Sequence, residues 1–452
     1  GPAGMYKTSV YPESQTGSHG LAFQIGAIGH NLTESQYGIA SIKFRWNLSG
    51  TYQQVIPRYI STDQNGGDEH EFLNDYFPDM GKLATAIFLK GYQWPFDPRK
   101  VTDHGSSLID ILVYRETVQK GQRVFLDYTR NPSGNGKLQD FSFDQLHPEA
   151  YDYLTKSDAL LDTPIQRLAK MNPPAIELYK NNGIDLTKEH VEIAVCVQHN
   201  NGGLRGNIWW ESNVKHLFPV GEVNGTHGIY RPGGSALNAG QVGSLRAAMY
   251  IASKYSDEPL SDRDFIDLLT PQIQSIFRSS KMMVDRNDDT DLLQSARSDI
   301  QTRMSRYGAH IRNAATIKQT ISEAWKLYHR LQTQMSVASI RELAEAIQTL
   351  DICLTHIMYL EAMGEYMDKK GKSRGSYLVV DPYGKKPCAD LGDEWRFSLN
   401  EKNALVNQKI LELWMDENSR IQKRWVDIRP VPNEEGWFEN VWRDFREGKT
   451  IF

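Results

Sequence analysis

Cysteine is scarce in this chain: three residues in 452 (Cys196, Cys353, Cys388), widely spaced, with no CxxC pair. That excludes a disulfide framework and argues against cysteine ligation of zinc or an iron–sulfur cluster. It fits reduced thiols in a cytoplasmic setting, and no metal site is expected. Charge of one sign is not in excess either. The formal net charge of −5 leaves no electrostatic footprint for nucleic acid or for an anionic membrane. No apolar run reaches about 18 residues, so no membrane-spanning helix is expected. The first residues lack both the basic and the apolar segments of a secretory signal. What the chain does have is length enough for two or three domains and a sizeable core.

Its most informative stretch is 214–246, VKHLFPVGEVNGTHGIYRPGGSALNAGQVGSLR. An apolar run at 216–220 predicts a strand that ends at Gly221-Glu222. A loop with five glycines follows (Gly221, Gly225, Gly228, Gly233, Gly234). A long apolar-periodic segment beginning near Ser235 predicts a helix. Strand, glycine-rich loop and helix N-terminus together let backbone amides approach an anionic or polar cofactor closely. Glu222, His227, Tyr230, Arg231 and Ser235 lie among the glycines. An acid after a strand can accept ribose hydroxyls, and an arginine has the planar fork that holds a carboxylate at two points.

These residues resemble the second FAD-contacting stretch of the succinate dehydrogenase/fumarate reductase flavoprotein family, written there as GLYAAGE…HGANRLGGNSL. Here GE, HG, R, GG and SAL follow in the same order and spacing. Two further segments support the resemblance. Residues 14–38 contain Thr16-Gly17 and the Ala22-to-Gly26 spacing of the family's TGDGxxMAxxAGA. Ser373-Arg374-Gly375 with Asp381-Pro382 matches its ESRGAHxRxDxP.

The resemblance implies an α/β plus α+β protein: the remainder of a Rossmann-like FAD-binding domain, a mixed α/β capping domain and a C-terminal helical domain. Residues 1–45 would return part of the FAD-binding domain, with Leu32 starting a strand. Residues 46–185 would form the cap. There, residues 52–56 and 123–128 predict strands and residues 80–89 a helix. Residues 186–255 would be the second FAD-binding segment, with a buried strand at 193–197 leading into Gln198-His199-Asn200-Asn201-Gly202-Gly203. Residues 256–383 would be helical, with capping boxes at Ser261/Asp264 and Ser339/Glu342. Two stripes predict packed helix faces, one from Ile340 to Met358 and one from Ile317 to Leu331. Residues 384–452 would be a tail packed on the body.

By the same resemblance Thr16, Gly17, Gly221, Glu222, Gly234, Ser235, Ala236 and Leu237 would bind FAD, with Glu222 on the ribose and the amides of 235–237 on the flavin pyrimidine edge. Arg231 would hold a substrate carboxylate, His227 would lie beside the flavin ring, and His199 or Gln198 would touch substrate. Read alone, Glu222 is a loop acid, Ser235 an N-cap, Arg231 an ion-pair partner and the histidines structural. Two departures stand out. Gly38 replaces the histidine of the family's QFHP. The cap's proton-donating arginine has no matching motif, although Arg58, Lys82 and Arg99 lie in its region.

The GxGxxG that holds the FAD pyrophosphate in this family is also absent, so on the order of 100–200 residues are expected to be missing or supplied by another polypeptide. The expected function is FAD-dependent oxidation–reduction, with hydride passing between flavin N5 and a small organic substrate other than fumarate. An electron-transfer partner is also implied. The alternative is a truncated or non-catalytic scaffold of this family that binds no flavin by itself.

Overall fold

The computed structural model describes residues 1–16, 18–256, 258–286, 291–431 and 433–449. The strands are β1 (Gly29–His30), β2 (Ser35–Ser41), β3 (Trp46–Asn47), β4 (Arg58–Thr62), β5 (Arg123–Asp127), β6 (Val191–Asn200), β7 (Gly203–Leu204), β8 (Ile311–Arg312), β9 (Leu378–Lys385), β10 (Lys409–Met415) and β11 (Ile421–Asp427). A five-stranded sheet runs β3-β2-β6-β5-β4, and a four-stranded sheet runs β11-β10-β1-β7. Both are antiparallel throughout. The Rossmann-like remnant therefore rests on the resemblance, not on a parallel sheet. All seven residues of β2 are buried, so this strand is covered on both faces and carries the centre of the molecule. The sheet it anchors crosses the expected cap boundaries at 45/46 and 185/186.

Helices α1 (His19–Gln24), α2 (Thr51–Gln54), α3 (Met80–Lys90), α4 (Leu108–Tyr114), α5 (Pro148–Lys156), α6 (Pro164–Met171) and α7 (Pro173–Asn181) belong to the first part of the chain. Start signals fix several of them. Asp79 accepts from the Lys82 amide at 2.7 Å ahead of α3, and a Thr163/Gln166 capping box with Pro164 opens α6.

The second part holds α8 (Ser235–Lys254), α9 (Asp262–Asp285), α10 (Asp291–Tyr307), α11 (Ala314–Gln334), α12 (Leu343–Asp368), α13 (Leu405–Gln408) and α14 (Trp437–Arg446). α12 is apolar nearly all round and is buried from Asp351 to Leu360, which makes it the core helix of this part. α11 packs along it. At its middle, Asp351 accepts from the Leu21 amide at 2.7 Å and so places a carboxylate at the start of α1. Among the described residues no helix is long and apolar enough to cross a membrane. None of their His, Cys, Asp and Glu side chains cluster in threes that could hold a metal ion.

Several sequence expectations are corrected. Residues 52–56 are helical turn, not strand, because Tyr52, Gln53 and Gln54 are all buried and no alternation exists to present one face. Residues 216–220 form no strand. Val214 and Leu217 close a turn, and Phe218 packs on Tyr250 of α8 and on Tyr255 just past its end with no strand alongside. Leu32 lies in the bend between β1 and β2. Ser261 caps α9 through its hydroxyl, whereas Ser339 makes no side-chain cap and precedes a 3₁₀ turn. The stripe begins ahead of α12, where Ile340, in a 3₁₀ turn, is 75% exposed, and it touches the core from Leu343 onward. In the tail, β10 and β11 extend the four-stranded sheet, but no residue of α14 is buried.

Candidate functional site

A buried ion pair builds the floor of the site. Glu34, on the turn before β2, accepts from Arg374 Nη2 at 2.8 Å, from the Tyr377 hydroxyl at 3.1 Å and from Thr33 Oγ1 at 2.8 Å. The carboxylate raises the Arg374 pKa against the opposing effect of burial. The backbone carbonyl of Glu34 accepts from the Asn201 and Gly202 amides. One acid thus ties the 373–377 turn to both central strands. Ser376 Oγ then accepts from the Tyr37 amide at 3.0 Å.

Above this floor Gln36 and Arg231 exchange two bonds. Arg231 Nε donates to Gln36 Oε1 at 2.8 Å, and Gln36 Nε2 donates to the Arg231 carbonyl at 3.0 Å. Arg231 Nη1 donates to the Pro232 carbonyl at 3.2 Å. These bonds orient the guanidinium without neutralising it, since every acceptor is uncharged. Burial lowers its pKa, against the pull of Glu222.

From the turn that begins at Asp97, Arg99 closes the opposite side. Asp97 holds it in a two-point fork (Nε to Oδ1, 3.0 Å; Nη2 to Oδ2, 2.7 Å), which raises its pKa. The Tyr230 ring lies 4.1 Å beneath its guanidinium. Gln36, Trp94, Pro95, Phe96, Asp97, Arg99, Lys100, Tyr230 and Arg231 are among the residues around a cavity of about 240 Å³ between residues 93–100 and the glycine loop.

The structure therefore selects among the three cap cations. Arg58 is committed to Glu69, Glu71 and Asp127. Lys82 lines a separate cavity with Asp79, His104 and His147. Arg99 alone of the three reaches Arg231's cavity. Its sequence signal was Asp97-Pro98-Arg99: a capping acid, a proline at the first helical position, then the arginine, a tight turn that fixes Arg99.

Behind Arg231 lie other residues singled out by sequence. The His199 and His227 rings meet edge-to-face at 4.8 Å. His199 Nδ1 bonds Asn201 at 2.9 Å. The Nε2 atoms of both rings are buried without a partner. Burial lowers both pKa values, that of His199 to about 4, so both imidazoles are neutral at pH 7. Glu222 accepts from the Asn200 amide at 3.1 Å and stands 4.0 Å from His199 Nε2. Neither histidine lines the Arg231–Arg99 cavity. Thr16 is half-buried ahead of α1, and Gly17 lies outside the described residues.

At the start of α8 the N-cap is Gly234 in a left-handed conformation (φ 76°), not Ser235. Ser235 is the first helical residue, and its hydroxyl turns back to the Pro232 carbonyl at 2.8 Å. No side chain caps the helix, which leaves the Ala236 and Leu237 amides as unmatched donors of the first turn. A Cβ at Gly221, Gly228, Gly233 or Gly234 would meet nothing within 4 Å, so these four positions face open space, while Gly225 packs against the backbone of His30 and Gly203. Free helix-start amides and bare glycines fit a flavin, and the unpartnered imidazole nitrogens, which accept when Nδ1 carries the proton, add further hydrogen-bonding atoms.

Sequence comparison finds 42% identity over 71 residues with a fumarate reductase (CoM/CoB) polypeptide of Methanothermobacter marburgensis, 16% of this chain and 13% of that protein. An uncharacterized FAD-dependent oxidoreductase of Methanocaldococcus jannaschii is 34% identical over 103 residues, 23% of this chain and 18% of that protein. No protein-family model matches. In fold, E. coli quinol fumarate reductase superposes with a TM-score of 0.59 at 18% identity, over 96% of this chain and 66% of that one. Mycobacterium smegmatis Sdh1 superposes at 0.61 and 14% identity, over 100% and 64%. The chain resembles the succinate dehydrogenase/fumarate reductase flavoproteins. It spans a little under two thirds of the solved flavoproteins, and the curated relatives match it over less than a fifth of their length.

Proposed function

We propose that this chain is the substrate-binding part of an FAD-dependent oxidoreductase acting on a small unsaturated carboxylic acid other than fumarate. The supporting observation is the pair of fixed guanidinia, Arg231 and Arg99, on either side of one small cavity. Glu222, the loop glycines Gly221 and Gly234, and the amides of Ser235, Ala236 and Leu237 would hold the FAD. When bound, FAD supplies the hydride chemistry.

The chain's own residues do the rest. Arg231, held by Gln36, binds the substrate carboxylate and orients the double bond. Arg99 takes the part of the cap's proton donor, holding a proton at its guanidinium nitrogens close to the substrate. It is half solvent-exposed, so it can be reprotonated from water. Asp97 positions it. His199 and His227, both neutral, carry unpartnered nitrogens that a bound polar group can satisfy.

An electron-transfer partner, or a polypeptide carrying the remaining FAD contacts, would complete the enzyme. Three buried free cysteines fit a cytoplasmic setting.

A second reading, a scaffold that binds no flavin, is favoured by the uncovered face of α8, whose Leu237 is 76% exposed. An absorbance spectrum of the purified protein, with and without added FAD, separates the two. Flavin bands near one per chain support the enzyme. Their absence at saturating FAD supports the scaffold.

A further inference from the structure

We infer that Trp94, packed where Gly38 leaves β2 without a side chain, makes this site select an unsaturated monocarboxylate with an apolar, ring-sized substituent over a dicarboxylate. The inference rests on the reading of the Arg231 cavity as a substrate site.

Gly38 sits mid-strand and is fully enclosed. A Cβ built there would lie 2.0 Å from Trp94 Nε1, 2.6 Å from Cδ1 and 2.9 Å from Cε2. Those atoms belong to a rigid ring, so no side chain fits at position 38 while the indole stays. The position that carries a histidine in the resembling family is thus filled by a tryptophan from the segment that runs beside β2.

The segment that carries the indole is held on either side of it. The Phe96 amide donates to the Tyr37 carbonyl at 2.8 Å, and Ser106 Oγ donates to Gln93 Oε1 at 2.7 Å. Its one polar atom, Nε1, is sealed against Gly38 and has no hydrogen-bond partner. An indole has no other donor and no acceptor, so the ring offers the cavity only an apolar surface.

The cavity is therefore two-sided. Arg231, Arg99, Lys100 and Gln36 supply charge and hydrogen bonds. Trp94, Pro95, Phe96 and Ile229 supply an apolar wall. At about 240 Å³ it falls just below the range of roughly 300–1,000 Å³ typical of pockets for drug-sized ligands, so its occupant is small. A monoanion matches this wall plan, with its carboxylate on Arg231 and its substituent on Trp94. A second carboxylate pressed on the indole would lose its water and gain no donor in return.

The test is calorimetric binding of trans-cinnamate, fumarate and acrylate to the protein as purified, with whatever flavin and partner it retains. Variants are Trp94→Ala, Trp94→Phe and Arg231→Gln, each checked for an unchanged melting profile. We expect cinnamate to bind at least roughly tenfold more tightly than fumarate, the scale on which apolar pockets discriminate. Trp94→Ala should weaken cinnamate roughly tenfold more than acrylate, and Trp94→Phe should restore most of the difference. Fumarate binding as tightly as cinnamate, or a Trp94→Ala variant that treats cinnamate and acrylate alike, overturns the inference. If Arg231→Gln still abolishes carboxylate binding in that case, the substrate-site reading survives it. If the parent protein binds none of the three acids, or Arg231→Gln changes nothing, both fail together.

Discussion

The two faces that meet at the glycine loop are built differently. Around the Arg231 cavity each candidate side chain has a fixed partner: Asp97 and Tyr230 for Arg99, Gln36 for Arg231, Gly38 for Trp94. On the α8–α9 side almost nothing is covered. α8 buries Gly243 and Ala247, α9 buries Met283, and Phe277, Ile276 and Leu237 are 68%, 63% and 76% exposed. An apolar face of that extent marks a surface meant to be covered. On the proposed reading, recognition of an acid would be self-contained, while recognition of a flavin would depend on whatever lies over α8. The difference can be broken or sharpened by perturbing each face in turn.

The largest effect should come from acid, and it should strike the covered face. His19, His310 and His356 are wholly buried, and burial pushes each pKa from 6.5 to about 3. A lowered histidine pKa means stability that is present above 6.5 and lost as pH falls toward 3. By pH 4.5 that amounts to roughly 2–3 kcal/mol per histidine. Asp351 acts in the opposite direction. Burial raises its pKa to about 6, so its contribution is present below the usual carboxylate value and lost as pH rises through 6. It offsets about one histidine. Melting temperatures measured from pH 7.5 to 4.5 should therefore fall. His310→Phe should remove about half of the net fall, since that ring sits among Tyr37, Phe96 and Tyr114. A flat profile would mean that water reaches these imidazoles. Neither α8 nor α9 carries a histidine, so the open face should not respond.

Next in size is the ion pair under the cavity. Glu34→Ala leaves the Arg374 guanidinium buried without its carboxylate and should cost about 3–5 kcal/mol in urea unfolding. Loss of less than about 1 kcal/mol would show that water reaches Arg374, and that the floor is less finished than the contrast requires.

At the site itself, Arg231→Gln should weaken carboxylate binding by about 1.5–3 kcal/mol, with stability nearly unchanged. Arg231→Lys should not rescue it, because a point charge cannot keep both the Gln36 bond and a two-point grip on the acid. Full rescue by lysine would argue for simple charge attraction.

How far the sequence reached follows the same divide. Glu222, His227, Arg231 and the helix at Ser235 were marked by local chemistry, a polar set spaced by glycines, and the structure does bring Glu222, His199, His227 and Arg231 together. Arg99 was not distinguished from Arg58 and Lys82. Its approach to Arg231 is a tertiary fact, and only the Asp97-Pro98 turn hinted that it was fixed. Gly38 was legible as a missing histidine, but the indole that fills its place comes from 56 positions further on. Residues 216–220 were apolar enough for a strand yet have no strand to pair with. Ile340 continued a core stripe in sequence, although the 3₁₀ turn that carries it lies ahead of α12 and leaves it in solvent.

The smallest effect should come from the open face, and its smallness is the point. In α9, Phe277 has 68% of its surface exposed, so Phe277→Ser removes an apolar ring already in water. Surface substitutions of this kind usually shift stability by less than about 0.5 kcal/mol, whereas the same change at buried Phe96 would cost about 3–5 kcal/mol. If α9 is free in solution, Phe277→Ser should leave the melting temperature in place and lower the binding of a hydrophobic dye. If a flavin-bearing partner or a second copy covers α9 in the native assembly, the same variant should destabilise that assembly while leaving the separated chain untouched. A marked loss in the separated chain itself would place Phe277 in its core and erase the contrast between the two faces.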